Sequence, residues 1–213
     1  RNCDWSSDVC SSDLLLGRPL SEALLARGHD VTVLSRGARS AARGVRLFPV
    51  DRGDPSGLSL ALSGQRFDLT VDLLAYDADA IHRLLEVPGF DPGRVVLVST
   101  GQVYLVTDRS PPFREADFDG TVIPEPEPNT RAWHNWTYGV GKRAAELALG
   151  RASVARGIES IALRIPAVQG ELDGESTGRL WAWIERVLDG GPVLLPEDGA
   201  QPLRFVYAGD VAE

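Results

Sequence analysis

Arg94-Val95-Val96-Leu97-Val98-Ser99-Thr100 carries four apolar residues in a row, three of them valine. A half-exposed strand alternates apolar and polar positions; this run does not, and its β-branched residues favour extended backbone. It predicts a strand buried on both faces of a parallel sheet. Similar blocks recur outward from it: Asp30–Arg36, Val45–Asp51, Phe67–Leu74 and Ile158–Ile165. Helical signals lie between them. Leu16, Leu20 and Leu24 are four apart and Gly28-His29 closes the pattern; Leu58–Leu62 and Ala78–Glu86 read as two further helices. Strands alternating with helices, joined by right-handed crossovers, give an α/β doubly wound parallel sheet, with its site at the carboxyl ends of the strands.

Thr137-Tyr138-Gly139-Val140-Gly141-Lys142-Arg143-Ala144-Ala145-Glu146 reads as a helix with Tyr138 and Lys142 one turn apart on one face. An ammonium about 4 Å from a phenolate is worth roughly 4 kcal/mol at an effective dielectric near 20, or about three pKa units. That would bring a tyrosine towards neutrality, where a general acid/base works best. Lys142 is also the only lysine among the 22 Lys and Arg residues, so an arginine-using chain keeps a compact ammonium here. The spacing alone equally suits a surface pair on an amphipathic helix.

Thr107–Thr130 is proline-rich and acidic and reads as a long surface loop. After Pro166 the pattern changes. Gly170–Gly178 is polar, Leu180–Leu188 is a helix bearing Trp181 and Trp183, Pro192–Pro196 is a short extended run, and Leu203–Tyr207 is a last strand. Arg1–Leu14 differs from all of this: it is rich in Ser and Asp, holds both cysteines, Cys3 and Cys10, and resembles a translated sequencing adapter. It is expected to be a non-native or disordered leader, and its cysteines neither a metal nor a redox pair. With no methionine in the chain, and Val211-Ala212-Glu213 stopping in what reads as the opening of a helix, truncation at both ends is expected.

The 213 residues, 43% hydrophobic and 24% charged, suffice for a globular core. A net charge of −8 argues against nucleic acid or an anionic membrane as partner. No run approaches the 18 or so apolar residues of a membrane span. The body free of cysteine fits a cytoplasmic location, and no metal site is expected.

Together the pieces resemble the extended short-chain dehydrogenase/reductases of the NAD(P)-dependent epimerase/dehydratase type. The resemblance runs from about Leu15 to the end. It rests on Gly17-Arg18, Asp51-Arg52, Val98-Ser99-Thr100-Gly101-Gln102-Val103-Tyr104, Tyr138 with Lys142, Arg164-Ile165-Pro166, and Arg204-Phe205-Val206-Tyr207-Ala208-Gly209-Asp210. It implies a Rossmann-type domain over 15–165 and the start of a substrate-binding part over 166–213. It also implies roles. Thr100 would hydrogen-bond the substrate oxygen, Tyr138 would transfer the proton, and Lys142 would lower that tyrosine's pKa and hold the nicotinamide ribose; Tyr104 is assigned to packing. Gly17 matches the third glycine of the pyrophosphate turn, whose first strand and other glycines are expected to be missing, so this polypeptide is expected to bind cofactor poorly.

Ser35-Arg36, with Arg39 nearby, stands where NAD-preferring members carry an acid, which implies NADP with NAD still allowed. Asp51 matches an adenine contact, Leu74 and Ala75 the wall beside it, and Pro166 and Val168 the nicotinamide lining. Gln102, His134 and Arg204 match substrate-side positions, and Trp133, His134 and Trp136 are expected just ahead of the catalytic helix. The implied activity is NAD(P)-dependent oxidoreduction, epimerisation or dehydration of a carbonyl- or hydroxyl-bearing small molecule, such as a sugar nucleotide. A homodimer of the intact parent is allowed. The alternative is a non-catalytic dinucleotide-sensing or RNA-binding relative on the same fold.

Overall fold

A computed structural model describes residues 13–36, 42–171, 178–193, 199 and 203–213. The chain divides into two compact units, residues 1–49 with 166–213 and residues 50–165.

The unit of residues 50–165 runs α2 (Pro55–Leu62), β3 (Leu69–Asp72), α3 (Ala78–Leu85), β4 (Arg94–Thr100), the short α4 (Gln102–Leu105), a 3₁₀ turn at Glu115–Asp119, α5 (Arg131–Arg156) and β5 (Ser160–Ile165). Its sheet is parallel, in the order β3-β4-β5. The apolar run that predicted a buried strand is the centre of it, and Val95 and Leu97 are fully buried. Those two side chains share a core with Ile81 and Leu85 of α3 and Ala145 and Leu149 of α5. Local chemistry fixes both helices. Asp77 caps α3 by accepting the Ala80 N–H at 2.7 Å, and Thr130 caps α5 by accepting the Trp133 N–H at 3.1 Å. Gly157, at φ 68°, ends α5 in the left-handed conformation that glycine adopts without strain.

Both faces were expected to be covered, but the second is less closed. Ile161 and Leu163 are 50% and 36% exposed, because α3 and α5 both pack on the Val95–Leu97 side.

The other described unit opens with a π-helical turn, Asp13–Gly17, running into α1 (Arg18–Ala26). Helix thus begins inside the expected leader, whose residues 1–12 lie outside the described ones. Leu15 and Leu16 are buried, and Leu15 lies close to Gly170. β1 (Thr32–Ser35) pairs in parallel with β2 (Arg46–Pro49). β6 (Ala167–Gln169) pairs in parallel with β7 (Phe205–Tyr207), which places Val168 on a strand. The remaining helices are α6 (Arg179–Leu188) and α7 (Ala208–Ala212). Arg39, most of Gly170–Gly178 and part of Pro192–Pro196 lie outside the described residues. No helix among the described residues is long and apolar enough to cross a membrane.

Candidate active site

The expected site residues fall into two groups. Asp51, Leu74, Ala75, Thr100, Gln102, His134, Tyr138 and Lys142 belong to the unit of residues 50–165; Gly17, Ser35, Arg36, Pro166, Val168 and Arg204 belong to the other.

In the first group α5 carries the expected proton-transfer pair, Tyr138 and Lys142, with opposite exposures. Lys142 is 2% exposed and Tyr138 39%. The Lys142 ammonium donates to the Val98 carbonyl of β4 at 2.8 Å, which occupies one of its three donors. It also lies 4.6 Å from the centroid of the Tyr76 ring. Burial pushes the Lys142 pKa down to about 8, against the pull of the Asp72 and Glu146 carboxylates. It therefore still carries its charge at neutral pH. Thr100 ends β4, and its hydroxyl accepts the Gln102 N–H at 3.2 Å, which turns the chain into α4. Two glycines bring α5 close to its neighbours. A Cβ at Gly139 would stand 2.6 Å from a Val106 methyl, and one at Gly141 would overlap the Tyr76 carbonyl oxygen.

Charged residues outside the expected set organise this unit. Arg52 forks onto Asp72 at 2.7 and 2.8 Å, and Asp72 Oδ1 also accepts the N–H groups of Leu74 and Ala75 at 2.8 Å each. Burial works against the Asp72 charge, yet the Arg52 bonds and charge, the Leu74 N–H and Lys142 outweigh it and hold the carboxyl below its ordinary value. The turn expected to wall the adenine is therefore built around a buried carboxylate. One helical turn beyond Lys142, Glu146 accepts from Ser99 and from Arg164, whose Nη2 is 2.7 Å away. Arg164 also donates to the Tyr104 hydroxyl at 2.8 Å, while the Tyr104 ring stacks on Phe113. Both pairs had a signal in the sequence: Asp72 is a carboxylate ending an apolar strand, and Glu146 repeats the four-residue spacing of Tyr138 and Lys142.

Trp133, His134 and Trp136 lie within the first turns of α5 rather than ahead of it, because Thr130 starts the helix earlier than expected. Trp133 donates to Glu125 at 2.7 Å and Trp136 to the Ile123 carbonyl at 3.0 Å, so both indoles fasten the acidic loop. His134 is exposed, edge-on to Trp133. Asp51 accepts the Gly53 N–H at 2.8 Å in its own turn.

In the other unit Gly17 caps α1 in ordinary right-handed geometry, and its carbonyl accepts from the Ser21 hydroxyl at 2.7 Å. Ser35 ends β1, Arg36 follows it exposed, Val168 pairs with Val206, Pro166 is exposed, and Arg204 precedes β7.

Known proteins place this architecture. Residues 77–213 match the NAD dependent epimerase/dehydratase family, and the chain belongs to it. It is 30% identical over 202 residues to the 2'-dehydrokanamycin reductase of Streptomyces kanamyceticus; the match covers 92% of this chain and 52% of the reductase. The chain thus spans about half the length of that curated relative. Among solved structures it is similar to the UDP-glucose 4-epimerase of Thermus thermophilus, solved as a complex with NAD, at 26% identity and a TM-score of 0.65, covering 95% of this chain and 70% of that one. The dTDP-glucose 4,6-dehydratase of Streptomyces venezuelae, at 22% identity, shares the fold with a TM-score of 0.66 over 92% of this chain and 66% of that one.

The family implies a nicotinamide dinucleotide, and the donor set of residues 50–165 fits its reactive end. A buried ammonium with two donors beyond the Val98 bond, one turn from a partly exposed phenol, suits ribose hydroxyls and a substrate oxygen.

Proposed function

We propose that this chain forms the proton-transfer core of an NAD(P)-dependent enzyme acting on a carbonyl- or hydroxyl-bearing small molecule. The observation that carries the reading is Lys142, buried at 2% exposure and bonded to the Val98 carbonyl, one turn from a Tyr138 that is 39% exposed. Lys142 would hold the nicotinamide ribose and favour the ionised phenol of Tyr138. Tyr138 would pass the proton to or from the substrate oxygen, and the Thr100 hydroxyl would hold that oxygen. Bound nicotinamide would supply hydride exchange. The reductase relative supports carbonyl reduction, and the epimerase neighbour supports a sugar nucleotide as substrate class.

Replacing Tyr138 with Phe in the intact parent should lower kcat by about 10² or more with little change in cofactor affinity. Steady-state kinetics and cofactor titration test this; near-wild-type turnover would overturn the acid/base role.

NADP is the proposed cofactor, because Arg36 follows Ser35 where an acid would disfavour a 2'-phosphate. Arg36→Ala should weaken NADPH binding more than NADH binding in the intact parent, read by fluorescence titration. Equal losses would remove the support for NADP.

A further inference from the structure

We propose that Tyr76 is a positioning residue that keeps the Lys142 ammonium in place and charged beside Tyr138. This rests on the roles proposed above for Tyr138 and Lys142. Tyr76 touches α5 at three points. Its ring lies 4.6 Å from Lys142 Nζ, its centroid is 5.9 Å from that of Tyr138 at a tilt of 46°, and its carbonyl fills the space over Gly141 where a Cβ would go.

A ring can position a neighbour only if it is itself fixed, and polar bonds fix the backbone on both sides of this one. Ahead of Tyr76, the N–H groups of Leu74 and Ala75 are bound by Asp72, which Arg52 grips in turn. Behind it, Asp77 caps α3. Fully buried Ala75 locks the turn into the core.

The ring also acts on charge. Its π face favours a cation, whereas burial disfavours one. The other groups facing Lys142 are Asp72 from β3 and Glu146 from α5, which favour the ammonium, and Arg52 from the turn before α2, which opposes it. The Val98 carbonyl accepts from it, and Tyr138 shares its helix face. Tyr76 thus adds a neutral contribution that keeps the buried amine protonated where an arginine lies close by.

Because the chain has one lysine, labelling with ¹³C at the lysine ε-carbon gives a single side-chain signal, and its titration needs neither cofactor nor substrate. Tyr76→Leu should lower the midpoint by about 0.5–1 pH unit, whereas Tyr76→Phe, which keeps the ring, should leave it within about 0.2. If Tyr76→Leu does not fold, a trifluorinated phenylalanine at position 76 keeps the shape but weakens the π face, and should also lower the midpoint. An unmoved midpoint in the folded Leu variant or the fluorinated one overturns the proposal. The Tyr138→Phe kinetics test the catalytic reading separately, so the two can fail independently.

Discussion

Residues 50–165 bury charge, while among the described residues of the other unit no charged side chain is buried. In the first, Asp72, Lys142, Arg143 and Glu146 are each less than one-tenth exposed. In the second, the buried polar side chains are Ser21 and Gln169, both uncharged. A buried charge persists only where neighbours replace water, and these four have them; Arg143 donates to the Val103 and Phe118 carbonyls at 3.0 and 2.7 Å. The contrast shows where precision is concentrated: the residues proposed to move a proton sit on an ordered set of charges rather than on a merely apolar core.

The sharpest way to break this contrast is to remove one charge. Glu146→Gln takes away the carboxylate that faces Arg164, whose side chain is only 19% exposed, and should cost about 3 kcal/mol. Urea unfolding of the variant measures it. A loss below about 1 kcal/mol would class the pair with ordinary surface ion pairs.

Lys142 gives a smaller effect of opposite sign. Its folded pKa, about 8, lies below the ordinary 10.5. The folded chain therefore resists protonation there, and this unfavourable contribution is complete below pH 8, shrinks as pH rises and is gone above 10.5. Lys142→Met should accordingly be more stable than wild type at pH 7, by about 1–2 kcal/mol, while losing activity. Urea unfolding at successive pH values should show the advantage shrinking as pH climbs past 8. An advantage that does not change with pH would assign it to packing.

The smallest change belongs to the other unit. Trp183→Ala on α6 should alter stability by less than about 1 kcal/mol, since the indole is already 44% exposed. A large loss in thermal unfolding would mean that this face is as tightly built as the charged one.

Much of this was legible in the sequence, for physical reasons. The apolar run Arg94–Thr100 predicted the central strand with its ends in place, because burial on both sides leaves no polar position to confuse the pattern. Edge strands were less legible: the block Asp30–Arg36 shrinks to Thr32–Ser35, since flanking residues with extended propensity need a partner strand to pair with. At the site, spacing placed Tyr138 and Lys142 on one face of one helix. It did not disclose that burial would separate them so strongly, because the exposure of a residue depends on what packs against the helix from distant parts of the chain. Tyr76 had no signal of its own; its importance comes from a turn held by Asp72 and a glycine 65 positions later.

Gly141 also bears on how this protein can change. At that position the alphabet is reduced to one letter, because the obstacle is a main-chain carbonyl, which no rotamer search can move aside. Gly139 is nearly as constrained, with the Gln102 carbonyl 2.9 Å from where a side chain would start. Val140 between them is half-buried and already carries a side chain. A mutational library over this helix would therefore leave the two notches as fixed points of the design and spend its diversity at positions that already carry a side chain.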